Sequence, residues 1–124
     1  MTNFRNAIAW LLSIFLAYEF AVSGVAKLSS KPKMVASFHT FGYPLWFMYL
    51  TGCIELLSAL LVLVPRVAVI GAGLLTCVML GAIFSHLTHG EANEITMPVI
   101  LLIASLALVL VRTTRTAPEA RPQH

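Results

Sequence analysis

Four long apolar blocks dominate the chain, each interrupted by few charges or none. Asn6 to Val25 holds one charge, Glu19, and Leu45 to Val64 holds one, Glu55. Val67 to Leu87 contains no Asp, Glu, Lys or Arg, and Ile95 to Val111 is shorter and also uncharged. A bilayer core takes about 20 mostly apolar residues in helix. The pattern therefore predicts an all-α, integral membrane four-helix bundle. Pro65-Arg66 makes a tight turn between the second and third spans, and "THGEANE" separates the third from the fourth. From Arg112 the chain reads "RTTRTAPEARPQH", polar with two prolines. This divides the protein into a transmembrane domain, 1–112, and a disordered tail, 113–124.

Composition agrees with the pattern. Apolar residues make up 59% of the chain and charged residues 10%, where a soluble domain carries roughly 25% charged residues. Mean hydropathy is +0.89. The net charge of +3 is no nucleic-acid signal, because the basic residues sit at segment ends. Cys53 and Cys77 both lie deep in apolar runs, with no CxxC and no Cys/His ligand cluster. They read as small packing residues, and no metal site is expected. A cleaved signal peptide fits the first block poorly: its h-region would be about 7–15 residues, and Glu19 interrupts it.

Four spans place both termini on one side, with Arg5, Arg66, Arg112, Arg115 and Arg121. The opposite side carries Lys27, Lys31 and Lys33 with Glu91 and Glu94. The Lys/Arg excess predicts cytoplasmic termini, in the cell membrane. Between the first two spans, "SSKPKMVASFHTFGYP" is long for a bare turn. Met34, Phe38 and Phe41 recur there at helical spacing. That suits a short amphipathic helix on the outer leaflet, or an ordered loop anchored at the interface by Tyr43 and Trp46.

The polar groups inside the spans carry the functional question. A carboxylate at the centre of a membrane helix costs about 2.5–3.5 kcal/mol on insertion scales, so it should face protein or water. In this topology Glu19, Glu55, Lys27 and His86 all fall between mid-bilayer and the outer surface. Ser23 is one turn from Glu19 and Lys27 one turn further, while Thr51 and Ser58 flank Glu55 on a small, weakly polar face. These positions predict an outer polar pocket. Glu19 and Glu55 are its candidate catalytic pair, and Ser23, Lys27, His86 and Thr51 would bind substrate or tune charge. Paired carboxyls in a dry site can divide the work, one donating a proton while the other stays ionised. The structural alternative is that such groups only hold helices together, and a lysine at a helix end usually snorkels to the interface. On the third span, Gly73, Cys77, Gly81 and Ser85 form a ridge of small residues. It is expected to pack within the bundle and only secondarily to form a homodimer face.

The segments "FAVSGVAKL", "GYPLWFMYLTGCIELLSALLVLVPR" and "GAGLLTCVMLGAIFSHLTHGE" resemble the DoxX-like family of small membrane proteins, from about Asn6 to Arg112. The strongest marks are Ser23-Gly24…Lys27-Leu28 and Gly52-x-x-Glu55. The resemblance implies a four-helix membrane bundle and marks Lys27 and Glu55 as family positions, with no established catalytic residue. It also brings quinone-linked redox chemistry into view, since the family is named for subunits associated with thiosulfate:quinone oxidoreduction. Other members are linked to oxidative-stress complexes or receptor assembly. No cofactor is evident in the sequence itself; quinone enters only through the resemblance, and with no haem, flavin or iron–sulfur signature such chemistry would need a redox partner.

Two classes of function follow. One is an acidic pocket for a lipophilic small molecule, serving acid/base isomerisation or hydrolysis or the quinone-linked chemistry of an oxidoreductase subunit with a redox partner. The other is a non-enzymatic scaffold or assembly factor whose charges pair with a client membrane protein. Enclosure of the acidic groups within one bundle favours the first, and exposure in a groove favours the second. Transport fits poorly, because there is no inverted repeat with broken helices.

Overall fold

The computed structural model describes residues 2–116, and side chains from 4 to 113. It contains five helices: α1 (Thr2–Leu28), α2 (Pro32–Phe41), α3 (Leu45–Val62), α4 (Ala68–Thr88) and α5 (Thr96–Thr116). Single 3-10 turns at Pro65–Val67 and Ala92–Glu94 precede α4 and α5. Four of the helices are long and apolar enough to cross a bilayer. The chain is thus an all-α membrane protein, with the short α2 between the first two spans. Helix α5 continues past Arg112, where the polar tail was expected to begin, and residues 117–124 lie outside the described part.

The four spans close a ring in which α1 packs on α3, α3 on α4, α4 on α5 and α5 back on α1. Short connections make successive spans antiparallel. At the ring's centre Leu16, Phe20, Val62, Leu75 and Leu108 are buried, among the alanines Ala9, Ala59 and Ala72. The outward face is as apolar as the inside: Leu11, Leu60, Ile70, Phe84 and Leu110 are all exposed. A soluble bundle would not tolerate that surface, whereas lipid solvates it. Near the termini, the Arg112 guanidinium lies 5.7 Å from the Trp10 ring, joining α5 to α1.

Two glycines set the tightest crossing. A Cβ on Gly24 would sit 2.8 Å from Leu56 Cγ and 2.9 Å from the Gly52 carbonyl oxygen. A Cβ on Gly52 would sit 3.0 Å from Lys27 Cβ and 3.1 Å from the Gly24 carbonyl. The backbones of α1 and α3 therefore touch, the close approach that small residues allow in membranes. Between α3 and α4 the same role falls to Gly71, against Ser58 and Leu61. This corrects the expected ridge. Gly73 and Gly81 have open space around a Cβ position, and Cys77 is exposed. Of those four residues Ser85 alone is buried. Cys53 is exposed as well, so neither cysteine is a core packing residue.

At the end remote from the termini, called distal below, three helices stop by one device. Lys31, Tyr43 and Glu91 donate their backbone N–H groups to Ala26, Phe38 and His86 carbonyls. The residue before each donor is left-handed: Ser30 (φ 54°), Gly42 (φ 80°) and Gly90 (φ 72°). This is the Schellman closure, which ordinarily selects glycine. Ser30 occupies the position without being glycine, and its hydroxyl lies 2.6 Å from the Tyr49 hydroxyl.

The helix alternative for the first loop is the one observed. Pro32 opens α2 at a position where its missing N–H costs nothing. Met34, Phe38 and Phe41 are all half-buried. Phe38 meets Tyr43 and Phe47, and Phe41 meets Tyr43, His86 and His89, with centroids 5.1–6.2 Å apart.

Candidate functional site

The α1–α3 crossing places three polar side chains together inside the distal half of the bundle. Ser23 and Lys27 are one helical turn apart on α1 and point the same way. Because Gly24 and Gly52 let the backbones touch, Glu55 of α3 comes within reach of both. Lys27 Nζ donates to Glu55 Oε1 at 3.1 Å and to Oε2 at 3.4 Å. Ser23 Oγ donates to Oε1 at 2.9 Å. Lys27 Nζ also donates to Ser23 Oγ, at 2.7 Å. The three groups close a triangle.

Burial separates the members. Glu55 is 1% exposed and Lys27 8%, while Ser23 is half-buried. Lys27 thus bends into the bundle rather than snorkelling to the interface. An ammonium and a carboxylate out of water each carry a desolvation cost of several kcal/mol, which mutual attraction offsets only when the geometry is good. Here Oε1 accepts two good bonds and Oε2 one long one.

The other candidates lie elsewhere. Glu19 is half-buried on α1 and makes no hydrogen bond or ion pair with the described residues. Thr51 is half-buried and donates to the Phe47 carbonyl of its own helix, 2.9 Å away. His86 does not join the triangle. Helix α4 ends two residues later and the chain folds back, so His86 Nδ1 meets Glu91 Oε1 at 2.8 Å. Beside it His89 Nδ1 donates to the Ser85 carbonyl at 2.8 Å, and the Ser85 and Tyr43 hydroxyls lie 2.7 Å apart. These groups form a second polar cluster at the distal rim, beneath Phe41.

Ser58, one turn from Glu55, has a buried hydroxyl without a hydrogen-bond partner among the described residues, and so does Ser13. Ser58 belongs to the weakly polar face read around Glu55, whereas Ser13 did not stand out in the sequence, because serine is common in membrane helices and hides its hydroxyl readily. Among the described residues no group of three or more His, Cys, Asp or Glu side chains is placed to hold a metal ion.

Chemically the triangle joins a carboxylate that can take a proton, an ammonium that can steady developing negative charge, and a hydroxyl bonded to both. Comparison with known proteins gives a family and little chemistry. A family model described as the DoxX-like family matches residues 11–108. An uncharacterized protein of Bacillus subtilis (strain 168), YdgD, is 32% identical over 109 residues, covering 83% of this chain and 96% of the relative. No solved structure matches. With the family match running from α1 into α5, and Ser23, Lys27 and Glu55 all inside it, the chain belongs to the DoxX-like family of membrane proteins.

Proposed function

We propose that the Ser23–Lys27–Glu55 triangle is an acid/base site for a lipophilic small molecule carrying a polar reactive group. The observation that carries this reading is the enclosure of a carboxylate–ammonium pair inside a single bundle, between two membrane-spanning helices. Ionisable groups at such depth are costly, and function is their default explanation. Glu55 is the proton carrier, Lys27 holds it and compensates its charge, and Ser23 orients the bound polar atom. Glu19 is one turn from Ser23 on α1 and flanks the site without joining it. A quinone is one molecule of the required chemistry, since its oxygens gain and lose protons. Its electrons would have to come from a redox partner. The Lys/Arg distribution supports cytoplasmic termini in the cell membrane, with the triangle in the outer half.

The scaffold reading draws on a different observation. The three side chains satisfy one another, as a structural pin between α1 and α3 would. Their enclosure within one bundle, rather than in an open groove, supports the small-molecule reading over pairing with a client helix.

Native mass spectrometry of the protein released from detergent tests the proposal. The wild type should carry a co-purifying lipophilic molecule, and Glu55→Gln, which keeps shape and removes charge, should lose it. Equal retention by both would leave the structural pin as the better account.

A further inference from the structure

Hydroxyls within the spans are satisfied in two ways. Thr51, Thr76 and Ser105 donate to the carbonyl one turn earlier on their own helices, at 2.8–2.9 Å. Ser23 bonds within the triangle, and Ser85 meets Tyr43. Ser58 does neither. It is 0% exposed, and its Oγ has no hydrogen-bond partner among the described residues. A buried hydroxyl left unpaired has lost its water without a replacement, so each case calls for an explanation. Size does not supply one. A small residue suits the α3–α4 contact, where a Cβ on Gly71 would lie 3.0 Å from the Ser58 carbonyl oxygen. Alanine would be as small without the orphan oxygen.

Position does supply one. Ser58 follows Glu55 by one turn on α3, so the two side chains are neighbours on the helix. Glu55 Oε1 takes the Ser23 hydrogen and the shorter Lys27 bond, whereas Oε2 takes only the long one at 3.4 Å. A carboxylate oxygen has more than one lone pair to offer. Oε2 therefore keeps acceptor capacity that the triangle does not fill. Cβ atoms one turn apart on a helix are separated by about 5–6 Å. One oxygen making two hydrogen bonds of about 2.8 Å bridges a similar gap. The chemistry of that oxygen follows from its partners. An ionised carboxylate only accepts, so the bridging group has to donate to Oε2, and the Ser58 hydrogen is satisfied only if the same atom accepts it. A hydroxyl does both. A carbonyl, an ether or an ester lacks the hydrogen, and an ammonium lacks the lone pair.

We infer that Ser58 is a ligand-binding residue, and that Ser58 and Glu55 together hold the hydroxyl group of a lipophilic alcohol or phenol. This rests on the reading of the triangle as a small-molecule site and narrows its substrate class. Ser58 donates to the hydroxyl oxygen, and the hydroxyl donates to Glu55 Oε2, on the group that carries the site's proton. Lys27 and Ser23 keep their own bonds to the carboxylate. Ser13 is the natural control. Its hydroxyl is also buried without a partner among the described residues, yet it has no ionisable residue within one turn on α1.

Native mass spectrometry of the full chain in detergent, with para-nonylphenol and its methyl ether in equal amounts, tests this. The two probes differ by a methyl group in place of the hydroxyl hydrogen, and comparing variants in the same micelles cancels their partition into detergent. The wild type should retain the phenol over the ether by about tenfold or more, as a site built for a hydroxyl does. Ser58→Ala should bring the ratio near parity. Ser58→Cys keeps the size with a weaker hydrogen-bonding group; it should do the same, and it decides the matter if Ser58→Ala does not fold. Ser13→Ala should keep the wild-type ratio. In an SDS titration Ser58→Ala should unfold at or above the wild-type midpoint, because it removes an unpaired hydroxyl. A lower midpoint would show that the hydroxyl serves the fold, and would overturn the inference. So would a wild type without preference, or a preference kept in Ser58→Ala. The acid/base reading is judged separately. If Glu55→Gln still loses a co-purifying lipophile, that site stands without Ser58; if it does not, both fail.

Discussion

Replacing Lys27 with methionine removes one charge from the triangle and leaves the chain length nearly unchanged. Glu55, 1% exposed, then keeps only the Ser23 hydroxyl at 2.9 Å. At 3.1 Å and an effective dielectric constant near 20, the lost Coulomb attraction is about 5 kcal/mol. Breaking a buried pair from one side costs about 3–5 kcal/mol by comparison with other proteins. Glu55→Leu should cost a similar amount, because it strands the ammonium. The double variant Lys27→Met/Glu55→Leu strands neither charge and should lie within about 1 kcal/mol of the wild type, or above it. The two single changes should therefore be far from additive, with a coupling of several kcal/mol. Pulse proteolysis across an SDS titration in mixed micelles would give the four free energies. A loss below about 1 kcal/mol for Lys27→Met would refute the reasoning, because it would mean that water or lipid headgroups reach the pair.

Further perturbations probe the scaffold that holds the triangle. Gly24→Ala would place a methyl group 2.8 Å from Leu56 Cγ and 2.9 Å from the Gly52 carbonyl; the same SDS titration should show a loss of about 1–3 kcal/mol, typical of overpacking. At Ser30 the left-handed backbone (φ 54°) opposes the hydroxyl contact with Tyr49. Ser30→Gly should accordingly exceed Ser30→Ala in stability by about 1–2 kcal/mol, the cost of that backbone region for a residue with a Cβ. Ser13→Ala removes a buried hydroxyl that has no partner among the described residues and should be neutral or stabilising, by up to about 1–3 kcal/mol. Phe41→Ala deletes the ring contacts with His86 and His89 at 5.2 and 5.1 Å, so amide exchange in residues 32–41 should accelerate while α3 to α5 stay protected.

The spans were legible because length and apolarity suffice to mark a membrane helix. Their rotations were not. In lipid both the inner and outer faces of a helix are apolar, so the periodic contrast that orients a soluble helix is lost. That is why Gly73, Cys77 and Gly81 could be assigned inward while Gly71 makes the actual contact. Ser23, Lys27 and Glu55 were each legible as polar groups in apolar spans, but the pair the sequence suggested was Glu19 with Glu55, and it is Lys27 and Ser23 that meet Glu55. Which acidic residue of α1 or α3 would meet Lys27 depended on the axial register, fixed by the Gly24–Gly52 crossing, which spacing along one helix does not reveal. His86 was drawn toward the pocket by its position near the end of the third span. A left-handed Gly90 folds the chain back and supplies Glu91 instead.

The central claim is that the charges of the triangle serve a bound lipophilic molecule rather than the fold. The charge-free double variant, Lys27→Met/Glu55→Leu, separates the two roles, because it should fold as well as the wild type. Native mass spectrometry of that variant beside the wild type is the decisive measurement. The account predicts a folded double variant that has lost the co-purifying lipophile present on the wild type. A folded double variant that retains the same molecule would contradict it.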